Sequence, residues 1–195
     1  MTSRAGGFTL AELLAAMAVG ALVLVGAGFA FQVAGGTLAS GSDQAEAQQN
    51  ARWALERMIQ EIRGAGLDPT GTPPAFNFDA VSMPTATSLV IQSDLDGNGR
   101  LDPPAACDPS GSGERVSYRL VGTELRRATD PPANACEAVV VGGVQQLTFT
   151  YFDMAGAATV SPAAVRSVGV TVALRPETGT RPVIVLTDRV RLRNR

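Results

Sequence analysis

The sequence predicts an α+β protein: a long N-terminal helix packed on an antiparallel β-sheet head. Three observations carry this. No proline occurs between Phe8 and Asp68, so a single helix can run from Phe8 to about Arg63. The hydrophobic pattern changes along that helix, from uniformly apolar to one-sided. From Ser88 onward, short runs rich in Val, Leu and Thr are separated by tight turn residues.

The first half of the helix is the apolar part. From Leu13 to Val33 there are twenty-one residues without a charge. At ~1.5 Å per residue they extend roughly 32 Å, matching the ~30 Å hydrocarbon core of a bilayer. A single-pass anchor in the lipid bilayer is therefore expected over residues 8–34. One carboxylate, Glu12, stands at the start of the run. Buried deep in lipid, such a charge costs about 2.5–3.5 kcal/mol and needs a partner.

The second half, residues 35–66, is the one-sided part. Gly35-Gly36 begins it and marks a soft point, the residue pair at which the helix would first unwind. Beyond it, Ala47, Ala51, Ala54, Leu55, Met58, Ile59, Ile62 and Ala65 recur at steps of three and four. That is the stripe of a helix lying on a sheet. Trp53 is expected to pack rather than bind. Gly64, Gly66 and Pro69 end the helix.

Residues 67–195 form the expected head. A connector rich in Pro, Gly and Thr runs from Leu67 to Pro84. Strands are predicted over Ser88–Gln92, Glu114–Val121, Glu124–Ala128, Ala138–Val141, Val144–Asp153, Val165–Arg175 and Val183–Arg193. The second and third make a hairpin across Gly122-Thr123. Val168, Val170, Val172 and Leu174 share one face of their strand. Val190 and Leu192 face in, while Arg189, Arg191 and Arg193 face out.

Composition narrows the function. The chain has 16 basic and 18 acidic residues, for a net charge of −2. That balance does not describe a general nucleic-acid binder, and nucleic acid is not an expected partner. Every basic residue is Arg; there is no His and no Lys. His-based catalysis and His metal ligands are excluded, and Ser or Cys catalysis lacks its usual base. No enzyme activity is expected. One apolar span excludes membrane pumps and transporters. Two cysteines, Cys107 and Cys136, lie in the head. Beyond a membrane span oxidation is allowed, so a disulfide is expected, with two free thiols as the alternative. A bridge would close a loop of about 30 residues, a stabilisation on the order of 3–4 kcal/mol.

The N-terminus resembles that of prepilin-type proteins: type IV pilins and the pseudopilins of type II secretion. The matching residues are Gly7, Phe8, Thr9, Leu10, Glu12, Leu13 and Leu14. The resemblance implies that residues 1–7 are a leader, cut by a prepilin peptidase between Gly7 and Phe8. It implies N-methylation of Phe8 and pairing of Glu12 with the cationic amine of a neighbouring subunit. Methylation leaves that charge in place, and an opposite charge stabilises a carboxylate in lipid. Removing seven of 195 residues would leave 188, at a net charge of −3 without Arg4. The competing readings are a plain signal anchor and a secretory signal cut near Ala30 or Ala39.

The plan of the chain extends the likeness. Gln49–Leu55 and Glu61–Pro69 resemble the helix end of the W-class minor pilins, and the J-class pseudopilins of type II secretion are close relations. The resemblance implies a filament subunit at or near the tip, whose partners are other pilins and minor pilins, met through the helix, and the inner-membrane assembly platform. The head would lie in the periplasm and then on the filament at the cell surface. A tip adhesin or DNA receptor is the alternative, using the stripe Arg189, Arg191, Arg193 and Arg195; the plainer reading of that stripe is a charged face guarding an edge strand.

One segment of the head carries ligand chemistry. Asp94, Asp96, Asn98, Arg100 and Asp102 follow the spacing of a calcium loop, the Arg contributing its carbonyl and Gly99 the turn. The twelfth position is Ala105 where an EF-hand needs Glu, and Pro103-Pro104 blocks a following helix. A Ca²⁺ site would have to be closed by Asp108 or Glu114. The alternative is an ordinary polar turn between strands.

Overall fold

A computed structural model describes residues 7, 9–69, 78–103, 107–108, 111–129, 136–176 and 182–194. The predicted α+β architecture is present. Among the described residues, one α-helix, α1 (Leu10–Gly64), is followed by seven strands. They are β1 (Ser88–Gln92), β2 (Arg115–Val121), β3 (Glu124–Thr129), β4 (Glu137–Val141), β5 (Val144–Phe152), β6 (Ser167–Leu174) and β7 (Ile184–Arg191). All pairings are antiparallel. The chain divides into two units, Met1–Asp43 and Gln44–Arg195.

In the first unit α1 is exposed on every side. Leu13, Leu14, Leu22, Leu24, Phe29 and Phe31 are each more than half exposed. The helix continues through Gly35 and Gly36 without a break. Two glycines cost about 1 kcal/mol each, too little to stop a helix flanked by long runs of helix formers.

In the second unit the stripe does what its spacing predicts. Ala47, Ala51, Ala54, Leu55, Met58, Ile59, Ile62 and Ala65 are all buried. Trp53 departs from expectation: it is 51% exposed, with the Arg57 guanidinium 5.7 Å from its ring centre. It sits one position before Ala54, turned off the buried stripe, and so takes no part in the core.

The strands form two sheets rather than one. Their orders are β1-β2-β3-β4 and β5-β6-β7. The break falls at Gly142-Gly143. Gly143 has φ 74°, and its carbonyl accepts from the Arg175 N–H. The chain turns there, and β5 pairs with β6 instead of continuing from β4. The hairpin at Gly122-Thr123 is as expected, with Val121 opposite Glu124. Val168, Val170, Val172 and Leu174 are buried together, as are Val190 and Leu192. Side chains of both sheets and of the α1 stripe share one core.

Several bonds tie the helix end to the strands. Gly66, at φ 79°, donates its N–H to Gln92 O at 2.8 Å. The Arg193 N–H reaches Arg63 O at 3.1 Å, and Asn194 Nδ2 reaches Gly64 O at 2.9 Å. The bonds from Arg193 and Asn194 satisfy carbonyls that a helix C-terminus leaves open.

Candidate functional sites

The N-terminal motif begins the helix. Gly7 is exposed, and Phe8 lies outside the described residues. Thr9 and Glu12 form a reciprocal cap. The Glu12 N–H donates to Thr9 Oγ1 at 3.3 Å, and Glu12 Oε2 accepts from the Thr9 N–H and hydroxyl, both at 3.1 Å. This is a capping box, legible from the T-x-x-E spacing that the sequence reading passed over. The carboxylate is thus held at the helix start, where the backbone dipole favours negative charge.

The cysteines pair. Cys107 and Cys136 are joined, with Cα atoms 5.0 Å apart. The bond fastens the segment before β2 to the start of β4, which lies at the edge of the first sheet.

The acidic loop folds around its own amides. Asp94 is fully buried; its Oδ1 accepts from Gly97 N–H at 2.7 Å and its Oδ2 from Gly99 N–H at 2.8 Å. Both glycines have φ 76°, a conformation costing a side-chain-bearing residue about 1–2 kcal/mol. Asp96 Oδ1 accepts from Asn98 N–H, and Asn98 Nδ2 reaches Asp96 and Asp102. The Arg100 N–H donates to Asn98 Oδ1 at 2.7 Å. Glu114, buried at the foot of β2, reaches in: it accepts from Leu95 N–H at 2.9 Å and Asp102 N–H at 2.6 Å.

Of the two residues named to close the site, Glu114 is the one brought there. Asp108 instead accepts from Gly111 N–H. Ala105 and Pro104 lie outside the described residues. Carboxylate oxygens of Asp94, Asp96 and Glu114 lie within 4.8 Å of one another. The three carboxylates offer an all-oxygen donor set of the kind a hard cation such as Ca²⁺ takes.

A second charged cluster was not foreseen. Arg127 on β3 is 2% exposed, and its Nε lies 3.0 Å from Glu61 Oε1 on α1. Its Nη2 donates to Gly111 O at 2.8 Å. The Tyr118 hydroxyl also donates to Glu61, at 2.8 Å. Burial first, then the Glu61 charge, pushes the Tyr118 pKa well above the ordinary phenol value. On the outer side, Arg119 binds Glu137 through two bonds and holds that carboxyl below its usual range.

The arginine stripe is placed as expected: Arg189, Arg191 and Arg193 are exposed at and beyond the end of the edge strand β7. Arg195 lies outside the described residues.

Comparison with known proteins bears on the first of these sites. A family profile described as the prokaryotic N-terminal methylation motif matches residues 2–28. No curated protein matches the chain. The chain therefore carries a prepilin-type N-terminal motif, on a helix long and apolar enough to cross a membrane. With that helix and its antiparallel head, the chain has a pilin-like arrangement.

Proposed function

We propose that this protein is a structural and assembly subunit of a type IV pilus-type filament, a minor pilin of the W class and not an enzyme. Its processing by prepilin peptidase leaves Phe8 as a methylated first residue. The protein waits in the inner membrane with its head in the periplasm. It is then incorporated at or near the tip through α1, alongside other pilins on the assembly platform. The observation that carries this reading is the methylation motif at the start of an apolar helix half whose large side chains are more than half exposed. Exposed apolar surface of that extent requires lipid or protein cover. A J-class role in a secretion pseudopilus is the nearest alternative.

Mass spectrometry of the native protein tests the reading. N-methyl-Phe8 as first residue is expected; an intact Met1, or a start beyond residue 30, overturns it. Glu12→Ala should insert normally in the membrane and enter filaments poorly, because the neighbour's amine loses its carboxylate.

A second assignment concerns the loop Asp94–Asp102. Its spacing and the approach of Glu114 support a Ca²⁺ site in the head, with Asp94, Asp96 and Glu114 as carboxylate ligands.

A further inference from the structure

Beside the edge strand β7 lies a cavity of about 390 Å³, lined by Asp153, Met154, Arg166, Arg189 and Arg191 among others. Two of its arginines are braced by the protein itself. The Arg189 guanidinium stacks 3.8 Å from the Phe152 ring centre. Its Nε and Nη2 both donate to Ser167 Oγ, at 3.0 and 2.9 Å. Arg166 Nη1 donates to the carbonyls of Ala163 and Val165. Arg191 stands exposed beside them.

None of the three arginines forms an ion pair among the described residues. By contrast, Arg119, Arg126 and Arg127 all pair with carboxylates. Bracing without neutralisation leaves oriented N–H groups for an incoming anion and removes much of the ordering cost of binding it.

The rim indicates which anion. Met154, in the cavity lining, is 83% exposed. The Asp153 carboxylate also lines the cavity. A continuous polyanion would meet the Asp153 carboxylate and the apolar Met154. A single carboxylate with an apolar neighbour meets the arginines and the methionine instead.

We propose that this cavity receives an acidic side chain, flanked by an apolar residue, from a segment of a partner protein. The assignment holds in either filament type and does not depend on the Ca²⁺ loop.

The test uses the full-length protein in detergent micelles, applied to an array of degenerate twelve-residue peptides and, separately, to a 20-base oligonucleotide. The expected result is a consensus of Asp or Glu beside an apolar residue, with signal lost when the acid becomes its amide. Arg189→Met and, independently, the surface change Arg191→Gln should each weaken binding at least about tenfold. The variant Arg52→Ala, on the helix, should leave it unchanged. Absence of an acidic consensus overturns the proposal, as does a consensus that both cavity variants retain. Oligonucleotide binding lost in those variants, without peptide binding, reassigns the cavity to nucleic acid.

Discussion

Glu61 on α1 meets Arg127 on β3 across 66 positions of sequence, at 3.0 Å. It is the polar joint between the helix and the first sheet, and Tyr118 completes it. An arginine buried this deeply is tolerated because its charge is answered. Removing the answer is therefore costlier than removing the pair. Glu61→Ala should destabilise the head by about 3 kcal/mol, somewhat below the full cost because Glu61 is 24% exposed. Glu61→Ala combined with Arg127→Met should recover much of that loss. Denaturant melts of these two variants and of Arg127→Met alone decide; simple additivity of the two single changes speaks against the joint.

The two tyrosines offer a spectroscopic check. The chain has only Tyr118 and Tyr151. Burial raises both pKa values, and Tyr118 is raised further by Glu61. Each hydroxyl donates inward, Tyr151 to Thr85 O at 2.8 Å. A raised folded pKa means the neutral form is favoured on folding. The stability from these groups is whole below the unfolded value of ~10 and falls as pH rises above it. Phenolate absorbance should be missing from the folded protein at pH 10.5 and appear on unfolding. Ordinary titration of both rings near pH 10 contradicts the packing described.

The disulfide ties a separation of 29 residues at the edge of the first sheet. Reduction should lower the stability of the head by about 3 kcal/mol, with the core strands retained. Thermal melts with and without reductant read this directly; an unchanged midpoint removes the bridge from the stability account.

Calcium should raise the melting temperature of the protein at millimolar concentration, by the mass action of a ligand on the folded state. Asp94→Asn should abolish the shift, since Asp94 is both ligand and the acceptor that folds the loop. Magnesium should be far less effective, because it demands a tighter octahedron and holds its waters. No shift with Ca²⁺, or the same shift in the variant, removes the metal assignment.

Much of this was legible because period is a physical signal. The eight stripe residues of α1 are buried as their spacing required, and the strand limits are close to those expected. Glu114 was named as a closing ligand and arrives at the loop. Other features were less visible. The split into two sheets falls at Gly143, a left-handed glycine, and which strands then pair is not a local property. Trp53 is apolar in kind but off the stripe, and register outweighed residue type. Arg127 was missed although a signal existed: it alternates with Leu125 and Thr129, both buried, so its register points inward. Its partner Glu61 had no sequence mark, because helix and strand meet only in the fold.

The bonds from Arg193 and Asn194 to the last turn of α1, with Gly66 to β1 and Glu61 to β3, have a mechanical meaning. Tension applied along the helix does not arrive at a single hinge. It is shared between anchorages on both sheets, which must yield together rather than peel one after another. A head built this way can be hauled by its stem and keep its shape.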